Sequence, residues 1–175
     1  MNTLGSSKQR GSSVESAVID TEPALEYVGD SEATWHDART VRCFGPQPDR
    51  PFLGIPVIEA GTAVEIKGAC VVRSNGDRET AGQWYVKRDA HERLLSAAGV
   101  YVLVVYAPRP ETPILRAVVI PASLLDEHLA GRWYDVDADR SEDEVAQLSW
   151  PTIIDRERVP GSIEAARAQE GKRHV

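Results

Sequence analysis

The sequence predicts an α/β protein in which a mixed sheet is flanked by helices. Strand-like segments rich in Val, Ile and other apolar residues recur between residues 52 and 120. Two segments, 90–98 and 122–130, instead place their apolar residues at helical spacing. Because strands and helices alternate along the chain, helices packed on a sheet are the expected architecture.

The elements are predicted from apolar periodicity and from the residues that start and end them. Val100 to Tyr106 is continuously apolar, which is typical of a strand buried on both faces. Asp89 is expected to cap the helix that follows the third strand, and Pro121 to open the last helix. We predict a helix within 14–28, further helices at 90–98 and 122–130, and strands at 52–58, 63–73, 83–87, 100–106 and 114–120. Residues 147–150 are expected to form a short strand or a packing segment.

Length and composition indicate one globular domain. The chain has 175 residues, of which 42% are hydrophobic and 27% charged, enough for a substantial core. We expect a disordered tail over 1–13, a single domain over 14–155 and a charged tail over 156–175. No apolar run approaches the roughly 20 residues that span a bilayer, and the N-terminus lacks an apolar signal core, so we expect a cytoplasmic protein without membrane contact.

The charge balance restricts the partners. The formal net charge is −7, and only four of the 20 basic residues are lysines. This composition suggests a salt-adapted, halophilic surface, although an ordinary acidic protein from a GC-rich genome has a similar balance. An acidic chain repels polyanions at long range, so any nucleic-acid function requires a local basic patch.

The strand at 63–73 carries the residues with the clearest chemical meaning. Val64 and Ile66 are expected on one face, and Glu65 and Lys67 on the other, because side chains two apart on a strand share a face. A carboxylate beside an ammonium suits a hydrolytic site once an upstream acid completes a set of metal ligands. The alternative is an ordinary ion pair on a half-solvated sheet.

The order of motifs resembles the PD-(D/E)XK nuclease superfamily, which has a restriction-endonuclease-like fold. The resemblance covers about residues 45–107, and parts of it also look like haloarchaeal or halovirus proteins of this type. The motifs in chain order are Pro48-Asp49, Glu65-x-Lys67 sixteen residues after that aspartate, His91 on the following helix and Tyr101 on the next strand.

The resemblance implies metal-dependent hydrolysis of DNA phosphodiester bonds. Asp49, Glu65 and Lys67 are then the catalytic residues, with Asp49 and Glu65 binding Mg²⁺ or Mn²⁺. Lys67 would contact the scissile phosphate, or orient the attacking water and help to deprotonate it. The upstream acid stays open, because Glu59 is a substitute for Asp49 and Asp37 is a more distant one.

Further residues could support such a site. The carbonyl of Ile66 would add a metal ligand, and Glu15 or Glu26 on the first predicted helix could bind an outer water. Basic residues outnumber acidic ones by six to four between residues 67 and 93. The predicted nucleic-acid contacts within that segment are Arg73, Lys87, Arg88 and His91.

The expected partner is therefore DNA, with branched and single-stranded forms among the candidates, and a homodimer is compatible with the sequence. The alternative is an inactive nuclease-like fold, or a small α/β interaction module, in which Glu65 and Lys67 form a structural ion pair. Nucleophilic catalysis is disfavoured because the sequence has no nucleophile elbow. Neither Cys43 nor Cys70 has zinc-binding spacing, and no glycine loop suited to phosphate is present.

Overall fold

A computed structural model of the protein describes residues 14–42, 58–75, 78–107, 114–136 and 144–160. Asp49, residues 52–57 of the first predicted strand and the tail segments 1–13 and 161–175 lie outside the described residues. No helix within the described ranges is long and apolar enough to cross a membrane.

The described residues form three helices, ten strands and two 3₁₀ turns. The helices are α1 (14–21), α2 (Arg88–Ser96) and α3 (Ala122–Leu129). The strands are β1 (Leu25–Tyr27), β2 (Ala38–Thr40), β3 (Ala63–Cys70), β4 (Arg73–Asn75), β5 (Arg78–Thr80), β6 (Gln83–Lys87), β7 (Val100–Tyr106), β8 (Ile114–Pro121), β9 (Tyr134–Asp135) and β10 (Glu144–Ser149). The 3₁₀ turns are Trp150–Thr152 and Arg156–Arg158.

A five-stranded mixed sheet organises the fold, with the strand order β1-β2-β3-β7-β8. The two central strands, β3 and β7, are parallel, and every other pair in this sheet is antiparallel. A parallel pair requires a crossover connection, which β4 to β6 and α2 supply here. The prediction of an α/β fold with a mixed sheet and flanking helices is confirmed.

Each face of this sheet has its own core. On one face, Val64 and Ile66 of β3 pack with Val14 and Val18 of α1. The other face packs against α2, α3 and a second sheet with the order β6-β10-β9. β7 contributes to both cores and its first six residues are all buried, as its continuous apolar sequence predicts. Residues on the α2 side of β3 are therefore enclosed between the sheet and its covering layer.

Three details differ from the sequence prediction. The first helix ends at residue 21, and Leu25–Tyr27 forms an edge strand paired with β2. Pro23 lies between them, where it would interrupt a helix by removing a backbone donor. Asp89 lies in the first turn of α2 rather than at its N-cap, which is Lys87. Val159, placed by prediction in the C-terminal tail, is fully buried in the core on the α2 side.

Gly82 connects the end of β3 to the start of β6 through a backbone hydrogen bond, and its substitution should lower the stability of the protein. Its amide donates to the carbonyl of Cys70 at 3.0 Å, and a Cβ atom at this position would lie 2.1 Å from that same carbonyl oxygen. Because the obstacle is backbone, we expect Gly82→Ala to lower the free energy of unfolding by about 3 kcal/mol in urea denaturation. Gly29→Ala is the matched control, since its Cβ would approach no atom closer than 3.7 Å. Equal stability of the two variants would show that this close approach is not required.

Candidate active site

β3 presents Glu65 and Lys67 on the same face of the sheet. Val64 and Ile66 fill the opposite core and are 1% and 0% exposed, which fixes the rotation of the strand. Glu65 is buried, whereas the Lys67 side chain retains 23% of its exposure. The Lys67 ammonium forms an ion pair with Oε1 of Glu65. The predicted alternation along this strand is thus what the structure contains.

Asp37 is the acid that the structure brings to this pair. It immediately precedes β2, and its amide donates to the Val64 carbonyl at 3.0 Å. Its Oδ2 accepts a hydrogen bond from the Ile66 amide at 2.7 Å, so the carboxylate lies on the backbone between Glu65 and Lys67. The pairing of β2 with β3 therefore places Asp37 beside Glu65 and Lys67, although the sequence ranked it behind Asp49 and Glu59.

Burial and charge determine the protonation of these groups. Burial raises the pKa of Glu65 to about 7, the nearby Lys67 ammonium opposes that rise, and the Asp37 carboxylate adds to it. Burial by itself would lower the pKa of Lys67, but Glu65 and Asp37 outweigh it and the pKa is raised. Lys67 consequently stays an ammonium at neutral pH, surrounded by more carboxylates than it can neutralise.

Glu15 of α1 is a further acid that interacts electrostatically with Asp37 and Lys67. Burial raises the pKa of this half-buried residue, and the charge of Asp37 raises it further, whereas Lys67 lowers it. These interactions place Glu15 within electrostatic reach of the pair on β3. Glu26, the other acid considered for an outer role, is exposed on the edge strand β1 opposite Arg39.

The other predicted acids are not part of this cluster in the described residues. Glu59 is exposed, and its carbonyl accepts hydrogen bonds from the Thr40 and Thr62 hydroxyls at 2.5 and 2.8 Å. It therefore lies where β2 ends, whereas Asp37 lies where β2 begins. Asp49 falls outside the described residues, so its role stays a prediction.

His91 is a buried residue behind the site rather than an exposed contact. It is 1% exposed, with Nδ1 at 3.0 Å from the Tyr101 hydroxyl and Nε2 at 3.2 Å from Oδ1 of Asp126. Burial lowers the pKa of His91, with Asp126 acting in the opposite direction. Tyr101 is paired in register with Glu65 on the neighbouring strand, so the histidine and tyrosine form a polar layer between β7 and the helices.

The predicted basic contacts are unequal in their availability. Arg73 and Lys87 are exposed, at the start of β4 and the end of β6. Arg88 instead pairs with Glu92 at 3.0 Å and with Glu144, so its charge is already balanced. Arg73 and Lys87 thus stand at exposed positions, whereas the Arg88 guanidinium is engaged by two carboxylates.

The donor set suits a hard divalent cation that retains most of its water. Asp37 and Glu65 offer carboxylate oxygens, the ligands that Mg²⁺ prefers. When both are ionised, Asp37 and Glu65 carry two negative charges beside the single positive charge of Lys67. Within the described ranges, no group of three or more His, Cys, Asp or Glu residues is placed to hold a metal by itself. A site of two carboxylates completed by water and substrate oxygens agrees with the charge of this cluster and with its small number of protein ligands.

Asp37 ranked low in the sequence prediction because the expected motif is Pro-Asp, whereas a histidine, His36, precedes this aspartate. The signal that could have found it is positional. Asp37 directly precedes the three residues Ala38–Thr40 that form β2, the antiparallel neighbour of β3. An acid at that end of β2 lies opposite the Glu65 end of β3.

Comparison with known proteins identifies the family of this fold. No curated protein and no solved structure matches the chain. A family model described as a PD-(D/E)XK nuclease superfamily domain matches residues 1–155. The five-stranded mixed sheet and three helices agree with the restriction-endonuclease-like fold predicted for that family. The chain therefore belongs to the PD-(D/E)XK nuclease superfamily.

Proposed function

We propose that this protein hydrolyses DNA phosphodiester bonds in a reaction that depends on a divalent metal, with Asp37, Glu65 and Lys67 as the reacting groups. The observation that carries the proposal is the convergence of the Asp37 carboxylate, from the start of β2, with the carboxylate and ammonium of Glu65 and Lys67 on β3. Both carboxylates contact or neighbour β3, and Lys67 keeps part of its surface open to solvent. The partial exposure of the Lys67 side chain gives a phosphate group access to this largely buried cluster, which a fully enclosed ion pair would not.

Asp37 and Glu65, with the carbonyl of Ile66, would hold Mg²⁺ or Mn²⁺. When bound, such a metal neutralises phosphate charge and makes an attacking water more acidic. The backbone hydrogen bond from Ile66 to Asp37 fixes one carboxylate before any ligand arrives. A preorganised donor costs no rearrangement when charge develops during the reaction.

Lys67 serves best as a fixed positive charge. The neighbouring carboxylates raise its pKa, which disfavours a neutral amine acting as a base. Its ammonium would instead leave Glu65 for a phosphate oxygen and stabilise the negative charge that builds up there. In the net reaction a bond forms between phosphorus and the oxygen of water, and the bond to one ester oxygen breaks.

The acidic surface sets the conditions for the test. A net charge of −7 opposes DNA at low ionic strength, so cleavage should be assayed at both low and high potassium chloride. We expect Mg²⁺ or Mn²⁺ to support cleavage of linear, single-stranded or branched DNA by chelator-treated protein, and Lys67→Ala to lower the rate at least about 100-fold. Arg132→Ala, at an exposed position away from β3, is the matched control.

Absence of metal-dependent cleavage on all three DNA forms and at both salt concentrations would contradict this proposal. The Glu65–Lys67 contact would then be the structural ion pair of an inactive fold or interaction module. Cleavage that Lys67→Ala leaves intact would place the reaction elsewhere in the chain.

A further inference from the structure

A groove of about 590 Å³ lies between Trp35 and the outer surface of α2. Trp35 is two residues before Asp37, so one wall of the groove belongs to the segment that enters the candidate active site. The lining residues are Trp35, Asp89, Glu92, Arg93, Ser96 and Ala97.

The groove combines a flat aromatic surface with a mainly acidic edge. Trp35 is half-buried and packs partly against the core on the α2 side, with its ring centroid 4.0 Å from that of His36. Asp89 and Glu92 outnumber Arg93 along the opposite wall. Two carboxylates against one guanidinium repel a phosphate backbone, but they accept hydrogen bonds from the amino groups of a nucleobase.

Two of the polar groups are available to a ligand. Ser96 already donates to the Glu92 carbonyl at 2.8 Å, and the Glu92 carboxylate is engaged by Arg88. Asp89 and Arg93 are exposed and stand one helical turn apart, offering an acceptor beside a donor. This pairing matches the mixed donor and acceptor edge of a base such as cytosine.

We propose that the groove binds one unpaired nucleobase of the substrate strand, stacked on Trp35 and hydrogen-bonded at its edge by Asp89 and Arg93. This inference rests on the proposed DNA hydrolysis, because Trp35 in the wall of the groove lies two residues before Asp37 of the candidate active site. The groove is open to solvent along its outer side, and its volume of about 590 Å³ leaves room for one nucleobase laid against the tryptophan ring. Extruding a base costs least where the base has no partner, so the preferred DNA carries an unpaired nucleotide near the bond to be cleaved.

Binding can be measured without cleavage, by fluorescence anisotropy of labelled DNA in the presence of a chelator. The two probes are a duplex with one unpaired cytosine and the same duplex with an abasic site at that position. We expect the protein to bind the cytosine probe about tenfold more tightly, since stacking on an aromatic side chain is worth that much or more.

Substitutions distinguish the loss of base stacking on Trp35 from the loss of its packing against the core. Trp35→Leu keeps an apolar side chain but should abolish the preference, whereas Trp35→Phe should retain most of it. Asp89→Ala, at an exposed position, should reduce the preference without affecting the core. Trp133→Phe is the control, because Trp133 is also half-buried and packs against His91 instead of lining this groove.

Equal affinity for the two probes, or a preference that survives Trp35→Leu, would overturn the inference. Cleavage of DNA with no base preference would leave the proposed hydrolysis standing while removing the role of the groove. A base preference that depends on Trp35 without cleavage in any metal would support the groove and contradict the hydrolysis.

Discussion

Asp37→Asn is expected to abolish metal-dependent DNA cleavage, with a fall in kcat/KM of at least about 100-fold. Asparagine has nearly the same size as aspartate and keeps an oxygen that can accept a hydrogen bond from the Ile66 amide. The backbone at the start of β2 should therefore keep its conformation. What is lost is one of the two carboxylate charges beside Lys67. The measurement is a cleavage time course on the preferred DNA, with circular dichroism to confirm folding.

Two matched variants decide which acid completes the site. Glu59→Gln removes an exposed carboxylate where β2 ends and should leave the rate within about threefold, as is usual for a charge remote from the reaction. Asp49→Asn tests the acid of the Pro-Asp motif, which lies outside the described residues. Loss of activity in Asp49→Asn, with full activity in Asp37→Asn, would move the upstream acid to that segment.

The local pattern on β3 was predictable because it depends on neighbouring residues. Alternation along the strand is enough to place Glu65 and Lys67 together and Val64 and Ile66 opposite. The continuous apolar run of β7 likewise predicts a strand buried on both faces, and burial of its first six residues confirms this. Such inferences need no knowledge of which strands become neighbours.

The partners across the sheet were harder to predict, because long-range packing selects them. β2 has only three residues, too few for a clear period, yet its pairing with β3 delivers Asp37. For His91 the sequence allows two interpretations, a phosphate contact and a capping or packed histidine. Its burial follows from the position of α3, which brings Asp126 to its second ring nitrogen.

A gain in stability is expected for Glu65→Gln in metal-free protein. Burial holds the pKa of Glu65 at about 7 in the folded protein, against 4.5 for the ordinary side chain. The folded protein therefore binds a proton more tightly than the unfolded chain does. The resulting stabilisation is fully present below pH 4.5 and is lost as the pH rises through 7, at about 1.4 kcal/mol for each unit of difference in pKa.

Glutamine remains neutral at every pH, so the variant should escape this loss. We expect Glu65→Gln and the unsubstituted protein to have similar free energies of unfolding near pH 4.5, and the variant to be more stable by about 3 kcal/mol at pH 8. Asp37 and Glu15 remain to hold the Lys67 ammonium in the variant. Urea denaturation in the presence of a chelator, repeated across this pH range, measures the difference directly.

Glu59→Gln is the control for this experiment, since an exposed carboxylate should give no comparable pH-dependent gain. Parallel stability profiles for Glu65→Gln and the unsubstituted protein would mean that Lys67 fully compensates the burial of Glu65. A gain confined to neutral and higher pH would instead show that an ionised Glu65 is kept at a cost in stability. That cost is expected where a charge is retained for function, because a neutral residue of the same shape would serve the fold better.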